Sequence, residues 1–135
     1  MTTDELVKAY LLKAEKRLKV LRIFFEEADY SDVIREGQEL IEICGKGILR
    51  SVGMDVPKWH DVGGLVEELS SKYPELSESL KAFARNSKWL RKEREISFYG
   101  DVDFIPTEEY TQEDAAKALQ GAAAAFDLLK KFAGV

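Results

Sequence analysis

Cysteine, histidine and proline are nearly missing from this chain. Among 135 residues there is one cysteine, Cys44, and one histidine, His60. A lone thiol cannot close an internal disulfide or supply a cysteine zinc cluster. A lone histidine leaves a Ser-His-Asp arrangement without an evident partner, and glutamate followed three residues later by histidine, the di-metal motif of helical bundles, does not occur. Three prolines and nine glycines exclude a collagenous or low-complexity chain. No run approaches the ~18–20 uninterrupted apolar residues of a membrane span. Met1-Thr2-Thr3-Asp4-Glu5 also lacks a basic stretch ahead of an apolar one. Gly45-Lys46-Gly47 and Gly63-Gly64 are too short to cradle phosphates as a GxxxxGK[ST] loop does. The expectation is a cytoplasmic protein with no membrane contact, no metal and no cofactor.

What is present points to a folded domain. Hydrophobic residues make up 45% of the chain and charged residues 33%, enough apolar content for a core and more charge than the usual ~25%. A chain of this length buries roughly two-thirds of its unfolded surface, so one domain over residues 1–135 is expected and needs no staple. Twenty basic and twenty-five acidic side chains give a net charge of −5. Such a molecule is repelled on average by nucleic acid and by anionic membranes, unless a local patch reverses the sign.

Five helical segments can be read, and no strand. From Asp4 to Ala28, Val7, Leu11, Ala14, Leu18, Leu21 and Phe25 form one apolar stripe, and Thr2 with Glu5 fits a capping box. A second helix, N-capped by Ser31, runs to Ser51 with Val33, Leu40 and Cys44 beside Ile34, Ile41 and Ile48. Gly37 lies in that band, where it lets a neighbouring helix come close at a cost of about 1 kcal/mol in helix propensity. Gly53 ends the helix and Pro57 turns the chain away. A short helix over Asp61–Ser71 buries Val62, Leu65, Val66 and Leu69. The fourth runs from Glu75 to Phe98 with Leu76, Leu80, Phe83 and Leu90 on one face, and Gly100 caps it. After an irregular link from Asp101 to Pro106, Thr111 and Asp114 open a fifth helix packed through Leu119, Ala122, Ala123, Phe126 and Leu129. Four long helices and one short one imply an all-α, up-and-down four-helix bundle with one additional short helix.

The chemistry concentrates on the fourth helix. Arg85, Lys88, Arg91, Lys92 and Arg94 follow one another with Glu93 as their one opposing charge. At about 100° per residue, Arg85, Lys88 and Lys92 lie opposite the apolar stripe, where a solvated face accounts for them. Arg94 falls at the centre of that stripe and Arg91 at its margin. A guanidinium cannot shed its proton to enter a dry core, so Arg94 requires either a carboxylate partner or a polar cleft built for an anion. Lys13, Lys16, Arg17, Lys19 and Arg22 on the first helix spread over more than one side, and a solvated face explains them. Cys44 reads as a small buried hydrophobe, Trp59 and Trp89 as core or subunit contacts, and His60 as a structural residue before the third helix.

The segment Leu90-Arg91-Lys92-Glu93-Arg94-Glu95-Ile96-Ser97-Phe98-Tyr99-Gly100-Asp101, with the alanine-rich last helix after it, resembles the C-terminal half of HEPN domains. The opening Tyr10-Leu11-Leu12-Lys13-Ala14-Glu15 and the stretch from Trp59-His60-Asp61 are similar to that family as well. The resemblance implies a helical bundle that forms a homodimer. Many such domains are metal-independent endoribonucleases with an arginine, four to six residues and then a histidine in a cleft at the dimer interface. Others bind nucleotide or RNA, or partner a minimal nucleotidyltransferase, in some cases as toxin and antitoxin. Arg94 matches the motif arginine and Glu95 the polar residue after it. Tyr99 stands where the histidine would end the shortest spacing. A phenol with its ordinary pKa near ~10 is a poor general base at neutral pH. The resemblance therefore implies a degenerate ribonuclease motif, with Arg94 and Tyr99 as its catalytic positions. Arg91, Arg94 and Tyr99 are the candidate ligand contacts, with Asp101 orienting an arginine. The alternatives are an active ribonuclease using Arg94 and Tyr99, and a purely structural interaction domain.

Overall fold

A computed structural model of the chain describes residues 3–56, 61–99 and 110–135, with side chains throughout except at 3–4 and 94–99. Five α-helices are found among them: α1 (Thr3–Glu26), α2 (Tyr30–Ser51), α3 (Val62–Glu67), α4 (Ser77–Tyr99) and α5 (Gln112–Ala133). Two 3-10 turns, Glu68–Ser71 and Pro74–Leu76, lie between α3 and α4. No strand occurs among the described residues. The all-α expectation holds, and so do the long helices to within a few residues.

Helix α2 is the axis around which the others pack. It touches α1, α3, α4 and α5, whereas α1 and α4 make no contact among the described residues. Neighbouring long helices run antiparallel. The starts of α1 and the ends of α2 and α5 meet around Val7, Ser51 and Phe132. Phe83 of α4 faces Gly45 while Arg91, further along, faces Glu42. In such a bundle α2 and α5 are diagonal partners and run parallel. Here that diagonal is short. A Cβ on Gly37 would touch Ala118, and one on Gly47 would meet Leu129. Ala115, Ala118, Ala122 and Ala125 line the facing side of α5, all buried. Small residues on both helices let the diagonal close, which spreads the other two helices apart.

Three sequence expectations change in detail. The packing stripe of α5 centres on Ala118, Ala122, Ala125 and Leu129; Leu119, Ala123 and Phe126 are only half-buried at its margin. The reason is that α5 must meet α2 with small side chains, not with its largest. Helix α2 starts two residues early, at Tyr30 with Asp29 and not Ser31 in the N-cap position. Ser31 is buried inside the first turn, and its hydroxyl donates to Asp29 Oδ1 at 3.5 Å instead of capping. The tight glycines on α2 are Gly45 and Gly47, not Gly37. A Cβ on Gly45 would lie 2.2 Å from Val62 Cγ1 and 3.0 Å from Phe83 Cζ, whereas at Gly37 the nearest atom is an ordinary 3.7 Å away.

Other local signals are found as read. Thr111 Oγ1 accepts from the Asp114 amide at 3.1 Å and the Asp114 carboxylate accepts from the Thr111 amide at 3.0 Å, a complete capping box. Gly53, with φ of 82°, follows the last turn of α2 in the left-handed conformation that a side chain would strain. Cys44 is buried, and desolvation pushes its thiol up to about 12, so it behaves as an inert hydrophobe. Thr2, Pro57, Trp59, His60, Gly100 and the link from Asp101 to Pro106 lie outside the described residues.

Candidate functional site

Helix α4 divides along its length. Its outward side carries Arg85, Lys88 and Lys92, all exposed, as a solvated face. Its inward side carries Leu80, Phe83, Ser87 and Leu90, all buried. Helical register continues through Tyr99. At about 100° per residue, position 94 falls in the middle of the arc those four buried residues occupy. The backbone thus keeps Arg94 in line with the buried stripe. The side chains of Arg94 and Tyr99, and Asp101 and His60 altogether, lie outside the described residues.

One turn before Arg94 the stripe has a polar corner. Arg91 reaches two carboxylates: Nη1 lies 3.2 Å from Asp61 Oδ1, and Nη2 lies 3.8 Å from Glu42 Oε1. Glu42 belongs to α2 and Asp61 is the N-cap position of α3, so one guanidinium ties three helices together. Gln38, buried one turn earlier on α2, donates its amide Nε2–H to Glu42 Oε2. This holds the carboxylate toward Arg91. The acids that hold Arg91 come from α2 and from the α3 cap, a pairing that the helical wheel of α4 alone could not name.

Gly63 and Gly64 explain how Asp61 arrives there. A Cβ on Gly63 would sit 3.0 Å from the Ser87 side chain, and one on Gly64 would sit 3.2 Å from Asp61 Oδ2. Two missing side chains let the start of α3 press against α4 and leave room for Asp61 to fold back beside it. Val62, the next residue, points the other way into the Gly45 corner. Glu42, Gln38 and Asp61 were not singled out as site residues from sequence. The only available signal was a glycine pair starting two residues after an aspartate at a helix start.

A second polar tie closes the far side of α4. Tyr110, buried just ahead of α5, donates its hydroxyl to Glu93 Oε2 at 2.9 Å. Burial first, and the Glu93 carboxylate second, hold that phenol well above its ordinary pKa, so it stays a donor. Lys117 Nζ sits 4.0 Å from the centre of the Trp89 ring, a cation–π contact from α5 to half-buried Trp89. Arg91 and Glu93, on either side of residue 92, are thus each fixed to a different part of the bundle. Among the described residues no group of acidic, histidine or cysteine side chains could hold a metal ion. No described helix is long and apolar enough to cross a membrane.

Comparison with known proteins gives three findings. A protein of Methanocaldococcus jannaschii named "Putative toxin MJ1304" is 25% identical over 133 residues, covering 93% of this chain and 86% of its own length. No solved structure matches the chain significantly. The family model of the HEPN domain matches residues 7–132, from the first buried turn of α1 to the last turn of α5, and with the helical bundle already described this establishes that the chain belongs to the HEPN domain family.

Proposed function

We propose that this chain is a HEPN module with a degenerate ribonuclease motif that recognises nucleotide or RNA phosphate through the C-terminal half of α4. In this reading it acts as a homodimer, and the other role open to the same module is to partner a minimal nucleotidyltransferase. The observation that carries the proposal is the register of Arg94: it follows Leu80, Phe83, Ser87 and Leu90 in the buried arc of a helix whose preceding turn is already polar. A permanently charged, planar donor at such a position is suited to bidentate contact with a phosphate. Arg91 shares the anion and is oriented by Glu42 and Asp61. The Tyr99 hydroxyl donates a further hydrogen bond, and Asp101 orients an arginine from the segment that follows. Across a two-fold axis two such helix ends would add their positive fields.

The test uses a short fluorescent RNA and ATP as probes, with binding and melting temperature as readouts. Arg94→Ala should weaken binding at least about tenfold, which corresponds to ~1.4 kcal/mol, while the variant still melts cooperatively. Binding should weaken with added salt, as phosphate contacts do. Loss of fold in Arg94→Ala, with no probe stabilising the parent protein, would instead favour the purely structural domain. Co-purification with a nucleotidyltransferase expressed alongside tests the partner.

The likeness to a protein named as a toxin favours a second reading, an active metal-independent endoribonuclease using Arg94 and Tyr99. It requires RNA cleavage that survives chelator and disappears in Arg94→Ala and Tyr99→Phe. Cleavage lost in His60→Ala but kept in Tyr99→Phe would move the acid–base role to the chain's one histidine. Intact RNA across a wide pH range would remove the enzyme reading.

A further inference from the structure

Three of the four large aliphatic side chains that stand exposed among the described residues lie on α1: Leu12 at 53%, Val20 at 43% and Ile23 at 56%. Scattered exposed aliphatics need no explanation, but these are not scattered. At about 100° per residue Leu12, Val20 and Ile23 share the side of α1 opposite the buried Val7, Ala14, Leu18 and Leu21. Their span is roughly 16 Å along the helix. Between them stand Lys16 and Lys19, and at the margins Lys8, Lys13 and Arg22, all exposed. Of exposed carboxylates between Lys8 and Arg22 there is only Glu15, 3.7 Å from Lys19. A chain of net charge −5 thus carries a positive band with an aliphatic centre along the middle of α1, bounded by exposed Glu5 at one end and by exposed Glu26 and Glu27 at the other.

We propose that the outer face of α1 docks a partner protein through an acidic amphipathic helix. Charge complementarity selects this occupant. A second copy meeting the face across a two-fold axis would set Lys16 and Lys19 against their own counterparts. A copy meeting it with some other, acidic surface would make a head-to-tail contact, which builds rings or filaments that sedimentation would reveal. Nucleic acid would find cations but no aromatic ring to stack on, and three aliphatics in the way. A helix bearing leucines flanked by glutamates satisfies both halves of the face. The face lies across the bundle from α4, which α1 does not touch among the described residues. A partner bound here leaves the arginine end of α4 uncovered, and the inference does not depend on the function proposed above.

The full chain is titrated into a fluorescent helical peptide of about 18 residues with leucines at core spacing and glutamates beside them. Saturable binding is expected, at least about tenfold weaker in Leu12→Ser/Ile23→Ser and in Lys16→Glu/Lys19→Glu. Both pairs point away from the core, so melting temperatures should hold; if the serine pair unfolds, the lysine pair alone decides. No binding at ~0.1 mM protein would overturn the proposal. So would equal binding of the same peptide with lysines for glutamates. Phosphatidylserine vesicles and a short RNA are run in parallel. If either binds through these residues while the peptide does not, the face serves that ligand and the proposal fails. Sedimentation of the chain alone supplies the last arm: self-association abolished by Leu12→Ser/Ile23→Ser assigns the face to a second copy and rejects the acidic partner.

Discussion

Helices α2, α3 and α4 meet in two adjoining corners that are built on opposite principles. In one, Gly45 of α2 receives Val62 and Phe83 with no space left over. In the other, Glu42 and Asp61 hold Arg91 in a half-exposed polar contact. Consecutive residues, Asp61 and Val62, enter the two corners. The apolar corner is specified by shape, since close-packed atoms cannot yield without moving backbone. The polar corner is specified by charge, and water shares the work there. The first should therefore carry stability and the second should tolerate change, which suits a region that has to meet a ligand.

The strongest challenge to this contrast is Gly45→Ala. The added methyl would overlap a stiff valine, and a loss of about 1–3 kcal/mol is expected in urea unfolding. A smaller loss would mean that α3 can retreat. Next comes Glu42→Ala, expected to cost about 1–2 kcal/mol. Most of that would come from leaving buried Gln38 without its acceptor and little from the ion pair, so Gln38→Leu/Glu42→Leu should recover much of it. A double-mutant cycle between Asp61 and Arg91 should give a coupling of only ~0.2–1 kcal/mol, because both groups remain open to solvent. A coupling well above that range would show the polar corner to be as rigid as the apolar one. Gly37→Ala sharpens the comparison with the opposite sign. Its methyl meets only ordinary contacts at 3.7–3.9 Å, so gained helix propensity should stabilise the fold by about 0.5–1 kcal/mol.

The smallest effect belongs to Asp29 at the α1–α2 turn. Burial, and then its neighbour Asp32, raise its carboxyl from 3.8 to about 6. The native state binds this proton more tightly than the unfolded chain does. The contribution of Asp29 to stability is thus greatest below about pH 4, falls as pH rises toward 6, and stays low above it. Asp29→Asn should flatten that slope when urea midpoints of the variant and the parent are compared at about pH 4 and about pH 7. The difference should be slight, because the side chain is only half-buried at the edge of the turn.

Much of the helical order was legible because it rests on local periodicity. Val7, Ala14, Leu18 and Leu21 announce the inner face of α1 by spacing alone, and Thr111 with Asp114 announces the start of α5 through a hydrogen-bond pattern confined to four residues. The site was legible only in part. Arg94 stands out because its charge conflicts with its place on the wheel. The partners of Arg91 did not stand out, since Glu42 and Asp61 look like ordinary surface acids until three helices converge.

By itself, the amino-acid order determined the number and kind of helices, the buried stripe of α4 and the odd position of Arg94 within it. Each of these depends on side chains within one helical turn of one another. Only the tertiary structure decided that α2 and α5 form the close diagonal, that Gly45 and Gly47 and not Gly37 are the tight contacts, and that the outer face of α1 is left uncovered. Those outcomes depend on which helices become neighbours, and neighbours are chosen by the packing of the whole chain.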